Sequence, residues 1–313
     1  MSDIKKIATR ESYGAALAEL GETHDIIVLD ADLSKSTKTE VFKKKFPDRF
    51  INMGIAEANM MSTAAGLATC GKIVFASSFA MFAAGRAFEQ IRNSICYPNL
   101  NVKIGATHAG ISVGEDGATH QCLEDMGIMR TLPNMIIINP ADDTEAKAAV
   151  KAAVEHDGPV YLRFGRLGVP VLFDNNYKFE IGKGVQLKDG NDVTLVATGL
   201  LVGTALEAAE LLKNEGINAR VVNIHTIKPI DKDIIVKAAE ETGAIVTCEE
   251  HNIIGGLGSA VAEVLCENAP APMLRVGTRD VFGKSGKPAE LFEEYGLTAE
   301  AICAKAKKAI SLK

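Results

Sequence analysis

The stretch THAGISVGEDGATHQ (107–121) gathers more acid–base chemistry than any other part of the chain. His108, Glu115, Asp116, His120 and Gln121 lie within it, separated by glycines at 110, 114 and 117. Imidazoles beside carboxylates can pass protons near neutral pH, and glycines let backbone approach a ligand closely. The same composition also fits a long surface loop with capping polar residues. Glu57, in GIAEANM, stands where a helix should begin after RFINMG (49–54). A carboxylate in a first turn ordinarily serves the helix dipole. Its neighbours Ile55, Ala56, Ala58 and Met60 point to partial burial, an environment that suits proton exchange. Phe79 and Phe82, three apart and followed by Phe88, have the spacing of an ordinary core face. Arg10, Arg163 and Arg166 are each either a solvated charge or a clamp for an anion.

Short apolar runs alternate with amphipathic stretches, and these elements must position such groups. Strands are predicted at 25–30, 72–77, 101–107, 135–139 and 160–164, with helices at 11–21, 57–71, 88–95 and 142–156. Such alternation predicts an α/β fold whose mostly parallel sheet is covered on both faces. The loop at 107–121 then leaves a strand at its carboxyl end, where open α/β sheets hold their ligands. Between Gly165 and Gly190 the pattern pauses at Pro170, Asn175 and Asn176. The expected division is therefore a first domain at 1–170, a linker at 171–190 and a second α/β domain at 191–313. Strands at 193–198, 219–224, 244–250 and 273–277 alternate there with helices near 202–214, 231–241 and 256–267, and two helices close the chain. GGLGSA (255–260) has the glycines of a dinucleotide loop. It does not leave a strand directly, since Glu249, Glu250, His251 and Asn252 intervene, so it reads as close helix packing.

Bulk properties set the outer bounds. The 313 residues are 47% apolar, enough for two cores. A net charge of −6 argues against a nucleic-acid surface, yet leaves room for a few arginines around a small anion. The six cysteines form no CxxC pair, which fits free thiols in a reducing cytoplasm. No segment resembles a secretory signal or a membrane span, so a cytoplasmic, membrane-free protein is expected.

Taken in order, these segments resemble the second half of transketolase over nearly the whole chain. The specific pieces are FPDRFINMGIAEANMMSTAAGLA (46–68), FAMFAAGRAFEQIR (79–92) and GISVGEDGATHQCLEDMGIMRTLPNM (110–135). IATRESYGAALAELG (7–21), LDADLSKST (29–37), VNIHTIKPID (222–231), EEHNIIGGLGSAVAE (249–263) and GKSGKPAELFEEYGL (283–297) extend the match. The resemblance implies a thiamine-diphosphate-binding pyrimidine domain followed by a transketolase C-terminal domain. Glu57 would share a proton with the coenzyme's aminopyrimidine, an acid–base role relayed through the cofactor. Phe79 and Phe82 would flank that ring, with Leu33 and Gln121 completing the cofactor contacts. Where many members carry a further aromatic, this chain has Gly85 or Arg86. His120 would bond the donor's carbonyl oxygen and Asp116 a sugar hydroxyl. Arg10, Ser36, His108 and Arg166 would grip the sugar phosphate, with Arg163 the neighbouring alternative to Arg166.

The family's GDG-type motif for the diphosphate and its Mg2+ or Ca2+ is expected on an N-terminal-half subunit, with no metal ligand here. The implied assembly pairs two copies of this chain with two of that partner. The implied reaction moves a two-carbon ketol unit between phosphosugars of the pentose phosphate pathway. The competing readings are a deoxyxylulose-phosphate synthase-like enzyme, a 2-oxo-acid dehydrogenase β-like subunit, and a non-catalytic scaffold.

Overall fold

The computed structural model describes residues 5–174 and 176–313, so Met1–Ile4 and Asn175 lie outside the account. Branched and aromatic runs form the strands of two large sheets. The first sheet has seven strands, in the spatial order Thr226–Lys228, Ile136–Ile138, Val160–Arg163, Val102–Thr107, Ile73–Phe79, Ile26–Asp30, Phe50–Asn52. All its pairings are parallel except at the Thr226–Lys228 edge. The second has five, in the order Met273–Thr278, Ile245–Asn252, Val193–Ala197, Ala219–Asn223, Val185–Lys188, with the last antiparallel. A short antiparallel pair, Lys6–Ala8 with Gly168–Pro170, ties the two ends of the first domain together.

The path through the first sheet explains where a site can form. From Ile26–Asp30 the chain moves to Phe50–Asn52 on one side, then crosses to Ile73–Phe79 on the other. That reversal opens a crevice at the carboxyl ends of these strands, the usual ligand position of open α/β sheets. Helices Thr9–Leu20 and Asp143–Glu155 pack together on one face. The second begins with Asp142, whose Oδ1 accepts from the Glu145 amide at 2.8 Å. Beneath them Tyr13 is fully buried, stacked on Phe164 with centroids 4.8 Å apart, and its hydroxyl lies 2.6 Å from Ser77 Oγ. Gly105 makes that room, since a Cβ there would sit 2.2 Å from the Tyr13 hydroxyl. Glu57–Thr69 covers the other face, with Met60, Met61, Ala64 and Ala65 in the core.

Three features depart from the expected pattern. Val185–Lys188, inside the stretch read as linker, is an edge strand of the second sheet. Thr226–Lys228 follows three strands of the second sheet yet pairs with Ile136–Ile138 of the first, so a piece of the second half completes the first sheet. The expected helix at 88–95 is α-helical only over Phe88–Gln90; π-turns occupy Met81–Arg86 and Ile91–Cys96. The glycines at 255–260 do serve close packing: a Cβ on Gly255 would meet Gly127 Cα at 2.9 Å, and one on Gly256 would overlap the Glu249 carboxylate. Among the described residues no helix is long and apolar enough to cross a membrane. All six cysteines are free, with Cys70 and Cys266 exposed.

Candidate active site

Each segment leaving a carboxyl end of the first sheet delivers a side chain to the crevice. Leu33 and Ser36 follow Ile26–Asp30. The Leu33 amide is fixed by Asp30 Oδ1 at 2.6 Å, and the Leu33 carbonyl accepts the Ser36 amide at 2.8 Å. Glu57 opens the helix after Phe50–Asn52, its side chain only 3% exposed. Phe79 ends the next strand, and Phe82 rides on the π-turn that follows. His108 to Gln121 leave Val102–Thr107, and Arg166 follows Val160–Arg163.

These groups form one continuous run of contacts. Arg86 Nη1 donates to both oxygens of Glu57, at 3.2 and 3.3 Å, and Ser78 Oγ reaches Glu57 Oε1 at 3.4 Å. The guanidinium of Arg86 lies 4.3 Å from the centre of the Phe82 ring. Phe82 stacks on Phe79 at 5.8 Å and meets His120 edge-on at 5.3 Å. Phe79 in turn stacks on His108 at 3.8 Å. Arg10 Nη1 donates to His108 Nε2 at 2.9 Å and to the Ser36 carbonyl at 3.1 Å. Arg166 donates to the Val113 carbonyl and pairs with Glu115 at 3.7 Å and Asp116 at 3.8 Å.

The electrostatics at the arginine end follow from burial and like charge. Burial, then Arg10, Arg166, His120 and Lys38, push the His108 pKa down to about 3, so its imidazole is neutral at pH 7. Since Arg10 can only donate, His108 Nε2 is the acceptor, and Nδ1–H donates to Thr107 Oγ1 at 2.9 Å. Burial and the charge of Arg166 also lower the Arg10 pKa, against the opposing pull of Glu11. His108 holds a left-handed backbone with φ 57°, sparsely populated for a residue with a side chain.

Gln121, which lines the cavity, and Arg163, the alternative to Arg166, are both tied to the second domain. Gln121 Nε2 donates to the carbonyls of Ile111, Gly114 and Lys284, so the side chain braces the loop against the second domain. Its Oε1 is buried without a partner among the described residues. Arg163 is 3% exposed, with Nε on Asp125 Oδ2 at 2.8 Å and Nη2 on the Glu250 carbonyl at 3.0 Å. It therefore belongs to the domain junction, while Arg166 remains open to the crevice. That junction also fixes the loop: Glu250 Oε1 accepts the Ser112 amide at 2.6 Å. Gly110, at φ 88°, lies so close that a Cβ would stand 2.3 Å from the Glu250 carboxyl carbon.

Asp280, Val281 and Phe282 had no motif to announce them. Asp280, Val281, Phe282 and Gly283 face Phe82 and Arg86 across a cavity of about 750 Å³. Among the described residues no group of three or more His, Cys, Asp or Glu is arranged to hold a metal ion.

Two α/β domains thus bring a buried carboxylate, an aromatic pair and an arginine–histidine cluster together at the first sheet's switch point. Residues 5–170 match the transketolase pyrimidine-binding domain and residues 182–302 the transketolase C-terminal domain. The chain belongs to the transketolase family. It is 60% identical to a solved split gene transketolase, described as an inactive beta4 tetramer, at a TM-score of 0.92; the match covers 98% of this chain and 99% of that one. It is 45% identical to the 6-deoxy-6-sulfo-D-fructose transketolase subunit of Clostridium sp. (strain MSTE9), over 94% of this chain and 91% of the relative. An apulose-4-phosphate transketolase subunit of Phocaeicola vulgatus is 41% identical, over 95% and 96% of the two chains.

Proposed function

We propose that this chain is the pyrimidine-side subunit of a two-chain, thiamine-diphosphate-dependent transketolase. The observation that carries the reading is the unbroken run from Glu57 through Arg86, Phe82, His120, Phe79 and His108 to Arg10. Its two ends suit the two ends of one reaction: a proton-sharing carboxylate for the coenzyme and a cationic seat for the sugar's anionic group.

The residues present fit the aminopyrimidine. Glu57 is buried yet reached from the cavity side by Arg86, whose donor-bearing guanidinium lies over the Phe82 ring, 4.3 Å from its centre. A flat ring with N–H donors satisfies the same carboxylate and the same aromatic face. Thiamine diphosphate, when bound, would supply the nucleophilic carbon that two-carbon transfer requires. Glu57 would hold a proton at the ring nitrogen, and Phe79, Phe82 and Leu33 would keep the ring in place. His120 bonds the donor's carbonyl oxygen as charge develops there. Asp116 takes a sugar hydroxyl.

The anion seat consists of Arg10, Arg166, neutral His108 and Ser36. Arg10 Nε is buried without a partner among the described residues, so a donor is left over. Two guanidiniums whose charges oppose each other gain from an anion placed between them. A phosphosugar meets that requirement.

The diphosphate and its Mg2+ or Ca2+ are assigned to an N-terminal-half partner, in a cytoplasmic assembly of two copies of each chain. Support comes from relatives described as subunits or as the product of a split gene, each covered over more than nine-tenths of its length. Mixing this chain with the partner, thiamine diphosphate and Mg2+ should give ketol transfer from xylulose 5-phosphate to an aldose phosphate. Turnover with pyruvate in place of the ketose would favour the synthase-like or dehydrogenase-like reading. Full activity from this chain alone would end the two-chain proposal.

A further inference from the structure

We propose that Arg86 is a latch that occupies the aminopyrimidine position in the coenzyme-free subunit and must swing out before the coenzyme seats. The proposal rests on the thiamine-diphosphate reading above. The guanidinium is planar, presents N–H donors along one edge and lies on an aromatic face. It meets Glu57 at 3.2 and 3.3 Å and Phe82 at 4.3 Å. A protonated or amino-bearing pyrimidine would use the same carboxylate and the same ring face, so the two compete for one place.

The latch is built to release. Arg86 is 54% exposed, and Glu57 is its one side-chain hydrogen-bond partner among the described residues. Arg163 offers the contrast, with its fork buried and shared among Asp125, Cys122 and Glu250. The π-turn Met81–Arg86 carries both Phe82 and Arg86, and the preceding Gly85 has no side chain to hem the guanidinium in. Even a Cβ at Gly85 would touch only the flexible tip of Met81. Gly85 and Arg86 both line the cavity of about 750 Å³, which gives the side chain somewhere to go.

Removing the latch makes the free state less favourable twice over. The competitor is gone, and Glu57 is left buried with Ser78 as its one remaining side-chain hydrogen-bond partner among the described residues. A half-exposed ion pair plus a cation–π contact corresponds to roughly a three- to thirty-fold shift in an equilibrium. Arg86→Ala should therefore tighten thiamine diphosphate binding by about that factor. Arg86→Lys, which keeps the charge but loses the plane, should fall between the two.

The test is isothermal titration of thiamine diphosphate, in excess Mg2+, into the two-chain complex made with wild type, R86A or R86K. Circular dichroism melts check that each variant is folded. Raising the salt from about 0.05 to 0.5 M should bring the wild-type and R86A affinities together, because screening weakens the latch but cannot act where it is absent. Equal or weaker binding by R86A, with wild type binding normally, overturns the latch. No binding by either protein would instead sink the coenzyme reading, and the latch with it.

Discussion

Arg163→Met should unfold this protein more readily than any other arginine substitution near the crevice. The Arg163 fork and the Asp125 carboxylate are 3% and 0% exposed and meet at 2.8 Å. Burial alone would raise the Asp125 pKa, but Arg163 and then His251 hold it below the ordinary carboxylate range. Without Arg163, Asp125 keeps only Tyr161 at 2.9 Å and the ring of His251 at 3.9 Å. Breaking one side of such a buried pair costs about 3–5 kcal/mol. The carbonyls of Glu250 and Cys122 lose a donor in the same change, which keeps the figure at the upper end. Urea unfolding followed by far-UV circular dichroism measures the loss. Arg163→Met combined with Asp125→Asn should recover about 1–3 kcal/mol, since the stranded charge is removed as well. A loss below about 1 kcal/mol for the single variant, or no recovery in the double, would refute the reasoning.

Arg166→Met should do the opposite: stability within about 0.5 kcal/mol of wild type, and KM for a phosphosugar raised roughly 10-fold or more. Steady-state kinetics on the two-chain enzyme and a thermal melt check the two halves. Glu249 is pushed up to about 7 by burial, against the bonds it accepts from the Gly258 and Leu257 amides. Its folded pKa lies above the unfolded value of 4.5, so the folded protein binds the extra proton, and this group's contribution declines as pH rises from about 4.5 to 7. Melting temperatures across that range should show Glu249→Gln gaining on wild type as pH increases; parallel curves would contradict the assignment.

Much of the fold is legible because both sheets are built from long-range repetition of one local pattern. Runs such as IIVLD and VTLVA have no other stable use than a buried parallel strand, and DDTEAKAAVKAAVE (142–155) carries its cap and its apolar stripe with it. The three-residue strand Thr226–Lys228 is not legible in this way. It is too short to show a period, and what holds it is a pairing with Ile136–Ile138 nearly ninety positions earlier. The π-turns at Met81–Arg86 and Ile91–Cys96 escape for a related reason, since one extra residue per turn leaves the composition unchanged.

Within the crevice, residue types and spacing pick out the candidates, and tertiary contacts decide among them. Arg163 and Arg166 are indistinguishable by type. Asp125, which reaches Arg163 across 38 positions, and the Glu250 carbonyl tie Arg163 into the buried junction, whereas Arg166 stays partly exposed at the crevice. The contact of Arg86 with Glu57 spans 29 positions and depends on a π-turn, so no local signal announces it. Gln121 is a candidate by motif, yet its amide braces Ile111, Gly114 and Lys284, a role set by the second domain's position.

The central claim is that Glu57 exchanges a proton with the coenzyme's ring, and the most direct test needs no sugar. In the two-chain complex loaded with thiamine diphosphate and Mg2+, the thiazolium C2 proton is allowed to exchange with deuterium, and its loss is timed by quenched NMR. Glu57→Gln should slow that exchange by about 100-fold or more relative to wild type, the range expected for a lost acid–base group. Equal exchange rates in wild type and variant, with the coenzyme bound in both, would contradict the account.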